Sequence, residues 1–180
     1  MCFKNIVMSK ILPVKDQDHI QGSTNAPYVL VEYGDYQCPY CGDAHSMIKE
    51  IQGRLGNKLC FAYRNFPLVE IHQHAEHAAE AAESAGEQGH FWEMHDVLFE
   101  NQDALEDENL AEYAAELNLD PERLIAEVRG GAHASRIQKD LRTGEKDGVE
   151  GTPTFFVNGV LFNGEPTPED LLAALTGHAE

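Results

Sequence analysis

Residues 28–33, Tyr-Val-Leu-Val-Glu-Tyr, form an almost unbroken apolar run with β-branched and aromatic members, the pattern of a strand buried on both faces. A helical period follows from Pro39 to about Leu55, with Met47, Ile48 and Ile51 inward and Gly53 or Gly56 as its stop. Residues 58–66 read as a second strand, ended by Pro67. A strand, a helix and a strand in this short space make a βαβ unit, with parallel strands and a right-handed crossover.

From residue 71 to 147 strand signal almost vanishes. Ile71, Ala75, Ala78, Ala79 and Ala82 fall on one helical stripe, which leaves Glu76, Glu80, Glu83 and Glu87 to face water. Further helices are predicted over 91–100, over 108–117, from the Asp120-Pro121 cap onward, and over 132–146. Sheet pattern resumes at 154–157. Asn158-Gly159 is a hairpin signal returning through Val160, Leu161 and Phe162. Thr167-Pro168-Glu169-Asp170 then caps a last helix carrying Leu171, Leu172 and Leu175. Residues 1–20 show no sustained period and read as a tail, or as an added strand around Ile6 to Leu12.

The chemistry sits where the first strand meets the first helix. Cys38-Pro39-Tyr40-Cys41 places Cys38 as N-cap, Pro39 at N1 and Cys41 at N3. Backbone N–H groups and the positive end of the helix dipole then lower the Cys38 pKa below the free value of about 8.5. Cys38 is the attacking sulfur, and Cys41, one turn on and facing inward, the resolving one. A zinc site is the rival reading. It usually needs four Cys or His ligands, whereas Cys2 and Cys60 stand apart, Cys60 within an apolar run that marks a buried core residue. His45 extends the motif to Cys-x-x-Cys-x-x-x-His, which still leaves the set short, so redox chemistry is favoured and no metal is assigned. His72, His74 and His77, with His90 and His95, lack the i, i+4 pairing of ligand helices and are assigned to helix caps and the interface between lobes.

The chain has 180 residues, enough for one domain with a core that needs no disulfide staples. With 13 basic against 31 acidic side chains, its formal charge of −18 disfavours nucleic acid and anionic membrane as partners. No stretch approaches the roughly 18 apolar residues of a membrane span, and Lys10 interrupts the only apolar N-terminal segment. A cytoplasmic location is therefore expected, or an extracytoplasmic one if a leader has been removed. In the cytoplasm a cycling disulfide is more plausible than a permanent one.

Four features together resemble the DsbA-like thiol–disulfide oxidoreductases of the thioredoxin superfamily. They are the dithiol with its preceding Val-Glu-Tyr-Gly-Asp-Tyr-Gln, the run His90-Phe91-Trp92-Glu93-Met94-His95, the loop Gly151-Thr152-Pro153-Thr154, and the final hairpin and helix. The resemblance implies an α/β thioredoxin fold with a helical insertion between its βαβ half and its C-terminal ββα half. Its parts would be an N-terminal extension (1–21), the first part of the thioredoxin domain (22–68), the insertion (69–147) and the second part (148–180).

The resemblance also implies roles. Glu32 stands six positions before Cys38, where the superfamily places a buried acid. Read from the residues, a carboxylate in an apolar strand has a raised pKa and can exchange a proton with Cys41, unless it lies at a solvent-facing edge. The Thr152–Pro153 bond is expected to be cis, packed against the dithiol, and to let Thr152, Pro153, Pro39 and Tyr40 bind an extended substrate; an ordinary rigid loop is the alternative.

The implied function is disulfide exchange with protein or small-molecule disulfides and dithiols, served by an unidentified redox partner and by no cofactor beyond the dithiol. The rival is a non-enzymatic redox sensor or partner-binding domain switched by the same dithiol. A related isomerase or glutathione transferase is disfavoured, since those replace the dithiol. The direction of exchange is not legible in the motif, because potentials vary by some 150 mV across related folds.

Overall fold

The computed structural model describes residues 13–15 and 17–177; the strand considered around Ile6 to Leu12, and Cys2, lie outside the described residues. Among the described residues one sheet of five strands organises the chain, in the order β1-β3-β2-β4-β5. At its centre β2 (Tyr28–Gly34) and β3 (Leu59–Asn65) run parallel, joined by α1 (Pro39–Leu55), as the apolar runs predict. β4 (Thr154–Val157) lies antiparallel on the other side of β2, followed by β5 (Val160–Leu161) and α7 (Pro168–Thr176). The hairpin turn takes positive φ at both Asn158 (49°) and Gly159 (81°), the twist that a two-residue connection demands. Thr167 caps α7 by accepting from the Asp170 N–H at 3.1 Å.

One strand is additional. β1 (His19–Gln21) pairs antiparallel with β3, inside the segment whose residues carry no periodic signal. Three residues are too few to show alternation, so only the neighbouring edge of β3 defines them as a strand.

Alternation along the central strands separates two cores. Leu30, Phe61, Tyr63, Phe155 and Val157 face α1, α7 and the helical block, while Val31, Tyr33, Ala62, Phe66 and Phe156 pack on the opposite face. There α6 (Ala134–Asp147) comes so close that a Cβ at Gly144 would meet both Tyr33 and Phe66 at 2.9 Å. Each fully buried large apolar side chain contributes about 1.5–3 kcal/mol, so these two layers hold the sheet rigid behind the dithiol.

Between β3 and β4 come five helices: α2 (Ala75–Glu87), α3 (Phe91–Glu100), α4 (Asp107–Glu116), α5 (Pro121–Gly130) and α6. Asp120 caps α5 by accepting from Arg123 N–H, as its Asp-Pro signal predicts. Two expectations fail here. Ile71 is not on the α2 stripe: the helix starts at Ala75, and Ile71 stands 72% exposed in the preceding turn. Glu80 and Glu83 do not face water but are buried. Glu80 accepts the His133 N–H at 2.8 Å, and Glu83 binds Asn65 Nδ2 at 2.6 Å, Arg136 Nε at 2.7 Å and His19 Nε2 at 2.9 Å. All four partners are distant in sequence, so a helical stripe cannot reveal them.

Candidate active site

The site begins with a buried carboxylate that shapes the turn between β2 and α1. Asp35 Oδ1 accepts the Gln37 N–H at 2.8 Å, and Oδ2 takes the Leu68 N–H and His72 Nδ1, each at 2.8 Å. One acidic side chain thus ties the turn to the chain following β3. Cys38 N–H then donates to the Asp35 carbonyl at 3.1 Å, and Cys38 stands at the N-cap of α1 with extended φ, ψ of −75°, 121°. Pro39 takes N1, where its missing N–H costs nothing.

Cys38 and Cys41 are free thiols, both buried. The Cys38 thiol is pulled down from 9.0 to about 5. Hydrogen bonding to the Cys41 side chain is the largest cause; desolvation opposes it; the Thr152 side chain and the Cys41 and Tyr40 N–H groups add to it. Cys41 moves the other way, well above 9.0, because it is desolvated and its thiol proton serves the Cys38 sulfur. The two sulfurs divide into a ready anion and a held thiol.

Glu32 lies on the central strand, between Tyr63 of β3 and Phe155 of β4, and not at an edge. It is 2% exposed, and its Oε1 has no hydrogen-bond partner among the described residues. Burial first, and then the Cys38 charge, raise its pKa from 4.5 to about 8. The same carboxylate helps to raise Cys41.

The loop before β4 completes the site. The Thr152–Pro153 bond is cis, and Cys38 Sγ lies 3.4 Å from the Thr152 carbonyl oxygen. Thr152 and Pro153 line a groove of about 540 Å³ together with Tyr40, which is 72% exposed. The structure therefore brings together all seven residues named from the sequence: Cys38 meets Cys41 and Thr152, Glu32 lies electrostatically coupled behind them, and Pro39, Tyr40 and Pro153 stand at the surface of the site.

Sequence reasoning missed Gln102, in the turn between α3 and α4. Its Nε2 donates to the carbonyls of Tyr36 and Cys38, each at 2.8 Å. Nothing in the motif signals it, because the contact crosses some sixty residues. Asp35 had a legible signal, an acid two residues before a turn N–H.

The histidines divide differently from expectation. His74 and His90 occupy N-cap positions, but neither side chain makes a cap hydrogen bond. His72 pairs with Asp35 and His77 with Asp107 Oδ1 at 2.7 Å. His45 and His95 sit in an aromatic cluster, His95 Nδ1 against Tyr36 Oη at 3.1 Å. With Asp96 they bring ligand-type atoms within 4.8 Å of one another, but Lys49 Nζ already lies 2.5 Å from Asp96 Oδ2 and supplies a positive charge there.

Among known proteins, the chain matches the Thioredoxin_4 family, described as thioredoxin, over residues 15–176. It is similar to BdbD from Bacillus subtilis in its oxidised crystal structure, with TM-score 0.84 and 24% identity, covering 95% of this chain and 97% of that one. α-DsbA1 from Wolbachia pipientis is similar at TM-score 0.78 and 20% identity, with 92% of both chains covered. A curated relative, the Na(+)/H(+) antiporter NhaA 1 of Salinispora arenicola, is 42% identical over 171 residues, which is 94% of this chain but 26% of that protein. The chain thus spans about a quarter of the curated relatives it matches, and none of its described helices is long and apolar enough to cross a membrane. A dithiol at the tip of α1, a cis-proline loop before β4 and a family match over almost the whole length lead to one assignment: the chain belongs to the thioredoxin family, with the architecture of its DsbA-like members.

Proposed function

We propose that the chain is a thiol–disulfide oxidoreductase acting on proteins through Cys38 and Cys41. One juxtaposition carries this reading: a sulfur with its pKa held at about 5 lies 3.4 Å from the carbonyl oxygen of Thr152, a residue that itself lines the groove.

An extended client pairs its backbone at Thr152, which brings its sulfur to Cys38. In the reducing direction the Cys38 thiolate attacks one sulfur of a client disulfide. A Cys38–client bond forms, and the other client sulfur leaves as thiolate. Glu32 then takes the Cys41 proton, and Cys41 attacks Cys38 Sγ. The Cys38–Cys41 disulfide forms, the second client thiolate leaves, and protons return to the client. The oxidising direction is the same sequence reversed, with the protein's disulfide reduced and the client dithiol oxidised.

The electrostatics favour the oxidising direction. At pH 7 a thiol with a pKa of about 5 is ionised about a hundred to one, which stabilises the reduced protein by roughly 3 kcal/mol, or about 60 mV, relative to an ordinary thiol. An unidentified redox partner resets the disulfide after each turnover.

The test is transfer of a disulfide from the oxidised protein to a reduced two-cysteine peptide. The wild-type protein is expected to transfer it stoichiometrically and Cys38→Ser not at all. Transfer by Cys38→Ser at the wild-type rate would eliminate the proposal.

One observation favours a second reading, a redox-responsive domain that governs a partner: the curated relatives that contain a stretch similar to this chain are named as Na(+)/H(+) antiporters. On that reading the dithiol state alters affinity for, or transport by, a membrane antiporter. Antiport assayed with the dithiol reduced and then oxidised separates the two; equal transport in both states removes the second.

A further inference from the structure

We propose that the groove beside the dithiol selects client segments that carry a lysine or arginine next to the reacting cysteine, through the carboxylates of Asp43 and Glu165. This rests on the oxidoreductase reading above and names the substrate class within it.

The groove walls are mostly apolar, from Tyr40, Met47 and Pro153 to Pro166 and Pro168. Asp43 and Glu165 are the only charged side chains that line it among the described residues. They come from different elements: Asp43 from the second turn of α1, just past Cys41, and Glu165 from the loop leading into α7. Both are exposed and therefore available to a docked chain. The two cations of α1 are already engaged, Lys49 with Asp96 and Arg54 with Glu50 and Glu169. Among the described residues no cation lines the groove to neutralise it.

Geometry gives these charges a role that general acidity does not. A client segment docked at Thr152 runs along the groove, which brings the side chains flanking its cysteine within reach of Asp43 and Glu165. The long methylene stem of a lysine or arginine covers Met47 and the prolines while its head reaches a carboxylate. A glutamate in the same place meets two like charges. The overall charge of −18 draws any cation toward the surface, whereas Asp43 and Glu165 act from the groove lining itself.

The experiment uses the oxidised protein and three reduced two-cysteine peptides that differ only in lysine, glutamine or glutamate beside the first cysteine. Single-turnover disulfide transfer gives a second-order rate constant for each. At low ionic strength the lysine peptide is expected to react about tenfold faster than the glutamate peptide, contracting to about twofold at high salt. Asp43→Asn/Glu165→Gln is expected to bring that ratio close to one. Glu116→Gln/Glu122→Gln, which makes the same change in net charge on the helical block, is expected to keep it. Equal rates for the three peptides, with transfer intact, would overturn the charge selection alone, as would a ratio that survives Asp43→Asn/Glu165→Gln. Absence of transfer to every peptide would overturn the oxidoreductase reading and this inference with it.

Discussion

The side-chain amide of Gln102 donates to the main-chain carbonyl of Cys38 at 2.8 Å, so the helical block grips the active-site helix at the residue that bears the nucleophile. The same amide holds the Tyr36 carbonyl, and the side chain lies directly over Gly42, where an added Cβ would meet Gln102 Oε1 at 2.2 Å. The strand-to-helix turn is therefore clamped from outside, with its N–H groups aimed at the sulfur.

Removing the clamp should loosen that aim. Gln102→Ala is expected to raise the Cys38 pKa and make the protein a weaker oxidant, and to lower stability by about 1–3 kcal/mol for two lost hydrogen bonds. Thiolate absorbance and the potential against glutathione check the first effect, denaturant unfolding the second. Lost stability with an unmoved potential would leave Gln102 a purely structural residue.

Glu32→Gln should slow resolution of the mixed disulfide and spare its formation. A positioned acid or base contributes about 10²–10⁴-fold, and with Cys41 buried away from solvent a loss of at least about a hundredfold is expected. With Glu32 at about 8, the base form grows as pH rises through that value, so the wild-type resolution rate should climb there and the variant's should not. Trapping the mixed disulfide by acid quench across pH 6–9 reads this directly.

Stability should depend on pH differently in the two redox states. The folded Cys38 pKa lies near 5 against 9.0 ordinarily, so its thiolate contributes stability fully above pH 9, and that contribution is lost as pH falls through 5. At pH 7 the reduced protein should retain roughly 3 kcal/mol from this source, and almost none of it at pH 4.5. Glu32 acts oppositely: its raised pKa adds a cost that grows from pH 4.5 to 8. Urea unfolding of the reduced protein and of Cys38→Ser, in parallel, isolates the thiolate part; parallel pH profiles would refute it.

Glu83→Ala should cost about 3–5 kcal/mol, because it strips a buried charge network and leaves Arg136 and Asn65 without that partner. Glu87→Ala, four residues on and exposed, should stay within about 0.5 kcal/mol. Equal effects in unfolding would contradict the buried network.

Particular residues show why the sequence was readable in part. β2, α1, β3 and the C-terminal hairpin each carry their signal locally, in continuous apolar runs, a Cys-Pro cap and an Asn-Gly turn. Pro39, Tyr40, Cys38 and Cys41 are placed by that same local grammar. Glu32 was legible because a carboxylate in an apolar run is an anomaly in itself. Glu80, Glu83 and Gln102 were not, since their partners arrive from elements far away in the chain and leave no periodic trace. β1 was hidden for the same reason, being defined by its neighbour's edge. Asp43 and Glu165, among 31 acidic side chains, become distinctive only when the fold sets them along one groove.

The decisive quantity is the ionisation of Cys38. Titrating thiolate absorbance of the reduced protein, with Cys38→Ser as the blank, should give a single transition near pH 5, while Cys41 stays protonated through neutrality. A Cys38 transition at the ordinary value of about 8.5 would contradict the account at its root.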